Sequence, residues 1–379
     1  MKKIFFIIFL ILFGMIRVKA LELTSYSESA ILIEPTTNTI LYELNKDERK
    51  APASMTKLMT MLIIVEEIDK GNIKLNDMVT ISQNAAGMGG SQVFLEANME
   101  IEVEQLLKGI AIASGNDAAV AMAEYIAGST DEFVEMMNQK VKELGLVNTH
   151  FANVHGLDTD DHYSTAYDMA QIARELLKHE LILDYTSLYE DYLIKPDGSK
   201  TWLVNTNKLV RFYDGVDGLK TGYTENAKYC LTATAKREKI RFITVTMGVD
   251  SSEHRSNDTT SMLNYGFANY KINNVVKKGQ VIGEIEIKGG KKNIGEMVAK
   301  EEINDLIKKG DKKDYSYNIK RKNIKAPILK GDVVGTLEVI DNNGKKVKTI
   351  DLVSKESVNK HSFFSLFGKL FKQIVGGFI

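Results

Sequence analysis

The chain has 379 residues, 44% of them hydrophobic and 26% charged, which suits one large folded domain plus a smaller companion and excludes a disordered or fibrous protein. Its 49 basic and 50 acidic side chains leave a formal net charge of -1, so overall charge recruits neither nucleic acid nor an anionic membrane, and no nucleic-acid partner is expected. The single Cys230 excludes an intrachain disulfide framework and a cysteine-based zinc site.

Lys2 and Lys3 precede the apolar run from Ile4 to Ile16, and Arg17-Val18-Lys19-Ala20 follows with small residues at the cleavage-type positions. This is the three-part pattern of a secretory signal, predicted over residues 1–20. The run is short of the roughly 20 apolar residues that a spanning helix needs. Next, Ala30 to Glu34 and Thr39 to Glu43 are β-prone runs joined by the turn chemistry of Pro35-Thr36-Thr37-Asn38, and predict an edge hairpin. From Ser54 to about Ile126 the segments are helix-length. Leu58 to Val65 is nearly all apolar, the mark of a buried helix, and Val103 to Ala113 and Asp117 to Ile126 are patterned. Strands are predicted at Tyr229 to Ala235 and Ile240 to Thr246, with a helix from Arg255 to about Tyr270. Hairpin, helical insertion, antiparallel strands and closing helix together predict an α+β domain. Beyond it, Lys278-Gly279-Gln280-Val281-Ile282-Gly283 is echoed by Lys330-Gly331-Asp332-Val333-Val334-Gly335. Each precedes an alternating run, and the pair predicts a small all-β unit with an internal pseudo-repeat.

Within this frame three short motifs carry chemistry. Ser54 and Lys57 lie three residues apart just after Pro52, a helix-entry signal, so both side chains fall on one helix face. A serine hydroxyl needs a base, and a lysine serves when burial and a helix terminus lower its pKa. Ser114-Gly115-Asn116 interrupts two helical segments, where a Gly-centred turn would project a hydroxyl and an amide into a cleft. Lys220-Thr221-Gly222 follows Gly218-Leu219, and its glycine leaves room for a substrate backbone beside a strand edge. Each alone is commonplace. In this order S-x-x-K, S-x-N and K-T-G form the signature of penicillin-binding proteins and class A β-lactamases.

The chain resembles the low-molecular-mass penicillin-binding proteins of the D-alanyl-D-alanine carboxypeptidase family. Besides the motifs, His155-Gly156-Leu157, Ser164-Thr165-Ala166-Tyr167-Asp168-Met169-Ala170 and Asp217-Gly218-Leu219 running into Lys220-Thr221-Gly222-Tyr223-Thr224 are similar to family text, over about residues 25 to 270. The resemblance implies an α+β transpeptidase fold, penicillin-binding and β-lactamase-like, with helices packed on an antiparallel sheet, a helical subdomain and a small C-terminal all-β domain. It divides the chain into residues 21–271, 272–355 and a tail at 356–379. It also implies roles: Ser54 as nucleophile and Lys57 as base, with backbone N–H groups of Ser54 and Tyr223 as oxyanion hole. Ser114 and Lys220 would relay protons, Asn116 would hold the substrate amide, and Thr221, Gly222 and Arg255 would line the carboxylate end. The substrate implied is a peptidoglycan stem peptide ending in D-Ala-D-Ala. β-Lactams are implied as covalent inhibitors, and no cofactor or metal is invoked.

Other features have plainer readings. His150, His155 and His162 near Asp158, Asp160 and Asp161 match no metal motif and are taken as loop polarity. Cys230 is taken as a buried small residue, and the lysines around 288 to 292 and 307 to 313 as a solvated face. In the tail, Phe363, Phe367, Leu370, Phe371, Ile374 and Phe378 recur at helical spacing opposite Ser365, Lys369 and Lys372, which predicts an interfacial helix holding an exported enzyme on the outer face of a bacterial cytoplasmic membrane. Transpeptidation shares the same acylation chemistry. A class A β-lactamase ordinarily has S-D-N and an E-x-x-L-N glutamate, and no such stretch lies between Asn116 and Lys220. A non-catalytic wall-binding scaffold predicts a missing motif side chain, whereas all are present.

Overall fold

The computed structural model describes residues 21–361, so the predicted signal and the apolar tail beyond residue 361 lie outside the described residues. The chain divides after Phe267 into two compact units.

In the first unit, β1 (Ser29–Glu34) and β2 (Thr39–Leu44) form the predicted hairpin. The Glu34 carboxylate closes its turn by accepting the N–H groups of Thr36 and Thr37 at 2.9 and 2.7 Å. Three more strands, β7 (Val216–Thr224), β8 (Lys228–Arg237) and β9 (Ile240–Val249), complete an antiparallel sheet of order β2-β1-β9-β8-β7. Both edges are thus defined, and β7, with Lys220-Thr221-Gly222, is one of them. Alternation along β9 sends Ile243, Val245 and Met247 into the main core and Phe242 to the opposite face. There the Phe242 ring meets Phe267 edge-on at 4.9 Å.

The main core is helical. α1 (Lys57–Asp69) is buried from Lys57 to Val65, as its nearly all-apolar sequence requires, and packs on α2 (Val103–Ala113), α3 (Asn116–Ala127), α4 (Thr130–Glu143) and α5 (Ala166–Leu176). α5 in turn lies on β1 and β9. Ser129 and Thr165 cap α4 and α5 by accepting the N–H groups of Glu132 and Asp168. Two short antiparallel pairs flank the helices: β3 (Met78–Thr80) with β4 (Glu100–Glu102), and β5 (Glu190–Ile194) with β6 (Lys200–Val204). The closing helix α6 (Ser252–Asn269) begins three residues before the predicted start, so Arg255 lies in its first turn.

The second unit is all-β, as expected. It holds a two-stranded pair, β10 (Tyr270–Val276) with β13 (Ile303–Lys308), and a six-stranded sheet. In chain order that sheet contains β11 (Val281–Lys288), β12 (Ile294–Ala299), β14 (Tyr315–Arg321), β15 (Ile324–Lys325), β16 (Val333–Asp341) and β17 (Lys346–Ser354). The two Gly-bounded runs lead into β11 and β16, which share this sheet with β12 and β17 between them. Two expectations need correction. The expected tail takes in residues 356–361, but Val358 pairs with Ile328 and Lys360 with Gly290, so this stretch completes the β unit. Lys313 is not a solvated lysine: it bridges Asp305 at 2.7 Å and Asp341 at 3.0 Å, two buried carboxylates that need a cation.

Candidate active site

The first wall of the site is a tight turn. Residues Ala53–Thr56 form a 3-10 turn that runs directly into α1, and Ala53 holds the left-handed value φ 47. Ser54 is half-buried at the floor of a cleft of about 690 Å³, and Lys57, one turn on, is fully buried. The predicted single face is real: Lys57 Nζ lies 3.1 Å from Ser54 Oγ.

Two further contacts define Lys57. Nζ donates to Asn116 Oδ1 at 2.6 Å and to the His155 carbonyl at 2.8 Å. The Asn116 amide is oriented by its own Nδ2–H, which donates to the Gly89 carbonyl at 2.7 Å, so Oδ1 must face the lysine. Burial first, then the charge of Lys220, holds the Lys57 pKa well below the ordinary lysine value, against a smaller opposing pull from Asp117. A neutral amine has two N–H donors and one lone pair. Both donors are taken by oxygens that can only accept, which leaves the lone pair for the hydroxyl proton of Ser54.

The second wall is the break between α2 and α3. The turn falls at Ser114 and Gly115 as expected, and it is Ser114, not Gly115, that takes the left-handed conformation, φ 64. Gly115 is required by packing, since a Cβ there would stand 2.8 Å from Asp117 Oδ1 and 3.2 Å from Val93 Cγ1. The Ser114 hydroxyl is buried without a hydrogen-bond partner and lines the cleft. The buried Asp117 carboxylate accepts the N–H groups of Val93, Leu95 and Ala118, which fixes the loop that carries Ser91 to the cleft rim.

The third wall is β7. Gly222 passes so close to the turn that a Cβ would come within 2.8 Å of the Pro52 carbonyl and 3.0 Å of Ala53 Cβ, which brings Tyr223 alongside Ser54 in the cleft. Lys220 is buried and donates to the Thr221 carbonyl at 3.0 Å. Burial and then the charge of Arg255 hold its pKa down to about 7. The Thr221 hydroxyl donates to Thr206 Oγ1 at 2.7 Å. Arg255 is only 7% exposed, lines the same cleft, and its Nε has no hydrogen-bond partner. All the sequence-predicted residues thus lie in or directly behind one cleft.

Several participants escaped the sequence: the His155 carbonyl, Asp117, Ser91 and Thr206. Only Asp117 had a local signal, as an acid in the first turn of a helix. Gly156 is another. At φ 91, a Cβ on it would fall 1.9 Å from the Ala53 carbonyl oxygen, so its loop lies directly on the Ser54 turn. The three histidines of this loop are engaged within the protein: His150 Nδ1 with the Asp161 carbonyl, His155 Nδ1 with the Leu157 N–H, and His162 at both nitrogens. Cys230 is buried, and burial pushes its thiol up to about 11, which leaves it unreactive.

The family model for D-alanyl-D-alanine carboxypeptidases matches residues 16–251, more than half of the chain. The chain belongs to that family. A second model, the C-terminal domain of penicillin-binding protein 5, matches residues 270–360. Among related carboxypeptidases, DacF of Bacillus subtilis (strain 168) is 51% identical over 346 residues, covering 91% of this chain and 89% of the relative. DacA of Escherichia coli (strain K12) is 36% identical over 349 residues, covering 89% and 85%. Among solved structures, penicillin-binding protein 5 of Haemophilus influenzae superposes with TM-score 0.72 at 33% identity, covering 88% of this chain and 98% of the other. Penicillin-binding protein 3 of Streptococcus pneumoniae, described as a peptidoglycan synthesis regulatory factor, gives 0.76 at 28% identity, covering 89% and 100%. The α+β fold with a C-terminal all-β domain is therefore that of the penicillin-binding carboxypeptidases.

Proposed function

We propose that this carboxypeptidase removes the terminal D-alanine from peptidoglycan stem peptides through an acyl-Ser54 intermediate. The observation that carries it is the hydrogen-bond arithmetic at Lys57, whose two fixed acceptors direct its lone pair to Ser54 Oγ. Lys57 takes the hydroxyl proton as Oγ attacks the carbonyl between the last two D-alanines. The oxyanion is held by the N–H groups of Ser54 and Tyr223, worth a few kcal/mol in the transition state. Ser114 and Lys220 carry a proton to the leaving amine, D-alanine departs, and water then hydrolyses the ester. Asn116 also holds the substrate amide. The substrate carboxylate lies by Gly222, with Thr221 and the cation of Arg255 as its partners.

The same attack on a β-lactam gives a covalent adduct. That adduct should persist, because no E-x-x-L-N glutamate of the kind that positions a β-lactamase's hydrolytic water lies between Asn116 and Lys220. The reading assigns catalysis to residues 21–271 and membrane attachment, on the outer face of a bacterial cytoplasmic membrane, to the apolar tail. The test is intact-mass measurement after incubation with a β-lactam. The wild-type chain should gain one adduct on Ser54. Ser54→Ala should gain none and release no D-alanine while keeping its melting temperature, and Lys57→Ala should acylate far more slowly at neutral pH. An adduct that persists in Ser54→Ala would refute the assignment.

A further inference from the structure

His162 belongs to none of the three motifs, yet it is buried beneath the nucleophile turn, 6% exposed, with its ring tilted against Phe151. Its Nδ1 lies 2.9 Å from the amide nitrogen of Ala152, and its Nε2 lies 2.8 Å from Thr56 Oγ1. An amide N–H can only donate, so Nδ1 carries no proton and the ring holds its proton on Nε2. Nε2–H therefore donates to the Thr56 hydroxyl. That hydroxyl uses its own proton on the Ala53 carbonyl at 2.8 Å. The relay has a single direction with every donor and acceptor filled.

Its ends are what matter. One is the loop that contributes the His155 carbonyl to Lys57 and the Gly156 backbone to the face of the Ala53–Ser54 peptide. The other is Ala53, held at φ 47, a value an alanine keeps only under support from its surroundings. We propose that His162 is a positioning residue for acylation: as the neutral Nε2–H tautomer it holds, through Thr56 and Ala53, the turn that sets Ser54 Oγ against Lys57 Nζ. The inference rests on Ser54 being the nucleophile, and His162 itself touches neither substrate nor Ser54.

Protonation would set a second ring N–H against the Ala152 N–H and break the tie. Burial, and after it the charge of His150, keep the His162 pKa down to about 4, while Asp158 pulls the other way. Asp161 on the same loop accepts from His150 through its carbonyl, and His155 is a further titratable neighbour, its own pKa lowered by burial first and then in part by the charges of Lys57 and His162. The tie is therefore intact across the neutral range.

The experiment measures β-lactam acylation of the full chain, separating the rate at saturation from the non-covalent affinity, for His162→Phe, Thr56→Val and the double variant. Each single change should slow saturated acylation about ten- to a hundredfold, the cost of a small displacement of reacting groups, with affinity within about twofold. The double variant should be no more than about threefold slower than the worse single, since both break one relay. His162→Gln, with an N–H donor for Thr56 and a carbonyl acceptor for the Ala152 N–H, should recover most of the loss. Acylation by folded His162→Phe within about twofold of wild type would overturn the inference, and so would losses that multiply in the double variant. If His162→Phe does not fold, nitrogen NMR of the wild-type imidazole decides: a proton on Nε2 supports the relay and a proton on Nδ1 refutes it. A wild-type chain with no Ser54 adduct would remove the underlying function itself, a result distinct from a fast His162 variant.

Discussion

Arg255→Ala separates carboxylate recognition from acylation. The guanidinium sits in the first turn of α6, buried in the cleft with Thr221, and its Nε has no partner. A buried group without a partner is poised for a ligand. A charge-assisted hydrogen bond to the substrate carboxylate contributes roughly 1.5 to 3 kcal/mol, so kcat/KM for a peptide ending in D-Ala-D-Ala should fall about ten- to a hundredfold. A thioester whose leaving group lacks a carboxylate should lose much less. The structure adds a second signature: the charge of Arg255 helps hold Lys220 down to about 7, so removing it lets the Lys220 pKa rise. Any limb of the pH profile that follows Lys220 must then move to higher pH. The assay is D-alanine or thiol release across pH for both substrates, with melting curves as a control. Equal fractional losses on the two substrates, or an unmoved profile, would reduce Arg255 to a structural residue.

Lys220→Leu tests the cost of a buried amine. The folded pKa of about 7 lies below the ordinary value of 10.5, so between these values the unfolded chain binds a proton that the folded chain has shed. Stability is therefore present above the unfolded pKa and is lost as pH falls through about 7. Lys57 contributes in the same direction. Denaturant titrations of Lys220→Leu should show a gain on the order of 4 kcal/mol at pH about 6 and a flatter rise toward pH about 10, and an unchanged slope would sink the claim. Gly156→Ala places a Cβ 1.9 Å from the Ala53 carbonyl, whereas Gly198→Ala shares a positive φ but meets nothing within 4 Å. Acylation should drop at least about tenfold in the first and stay near normal in the second, since only the first pushes on the Ser54 turn. Similar losses in both would mean that backbone strain alone is responsible. Truncation of residues 362–379 should release the signal-processed protein from membranes with activity on small peptides unchanged, because the tail separates apolar from lysine positions at helical spacing. Truncated protein that still pellets with membranes would refute the anchor.

Much of the fold was legible because its elements are bounded by local chemistry. Pro35-Thr36-Thr37-Asn38 turns β1 into β2, Pro52 precedes the Ser54 turn, and the nearly all-apolar run after Lys57 reads as a helix buried on all sides. The β5–β6 hairpin was not legible. Only Leu193 and Leu203 face inward, while Tyr192, Ile194, Trp202 and Val204 stand exposed, so hydrophobicity there does not report burial. That residues 356–361 belong to the β unit was not legible either, because Val358 and Lys360 pair across it with partners that sequence spacing does not reveal.

The site divides along the same line. Ser54, Lys57, Ser114, Asn116 and Lys220 could be named because their side chains are the chemistry, and chemistry restricts residue type at fixed spacing. What sets their geometry is mostly backbone: the His155 carbonyl under Lys57, the Gly89 carbonyl that orients Asn116, the Ala53 carbonyl held by Thr56, and the close passes of Gly156 and Gly222. A carbonyl carries no residue-type signature, so a motif search cannot find it. The Lys57 environment makes the difference concrete. With Asn116 alone the amine would keep a free N–H and its lone pair would have no fixed direction. The His155 carbonyl, 98 residues further along the chain, removes that freedom and turns a spacing of three residues into a directed base.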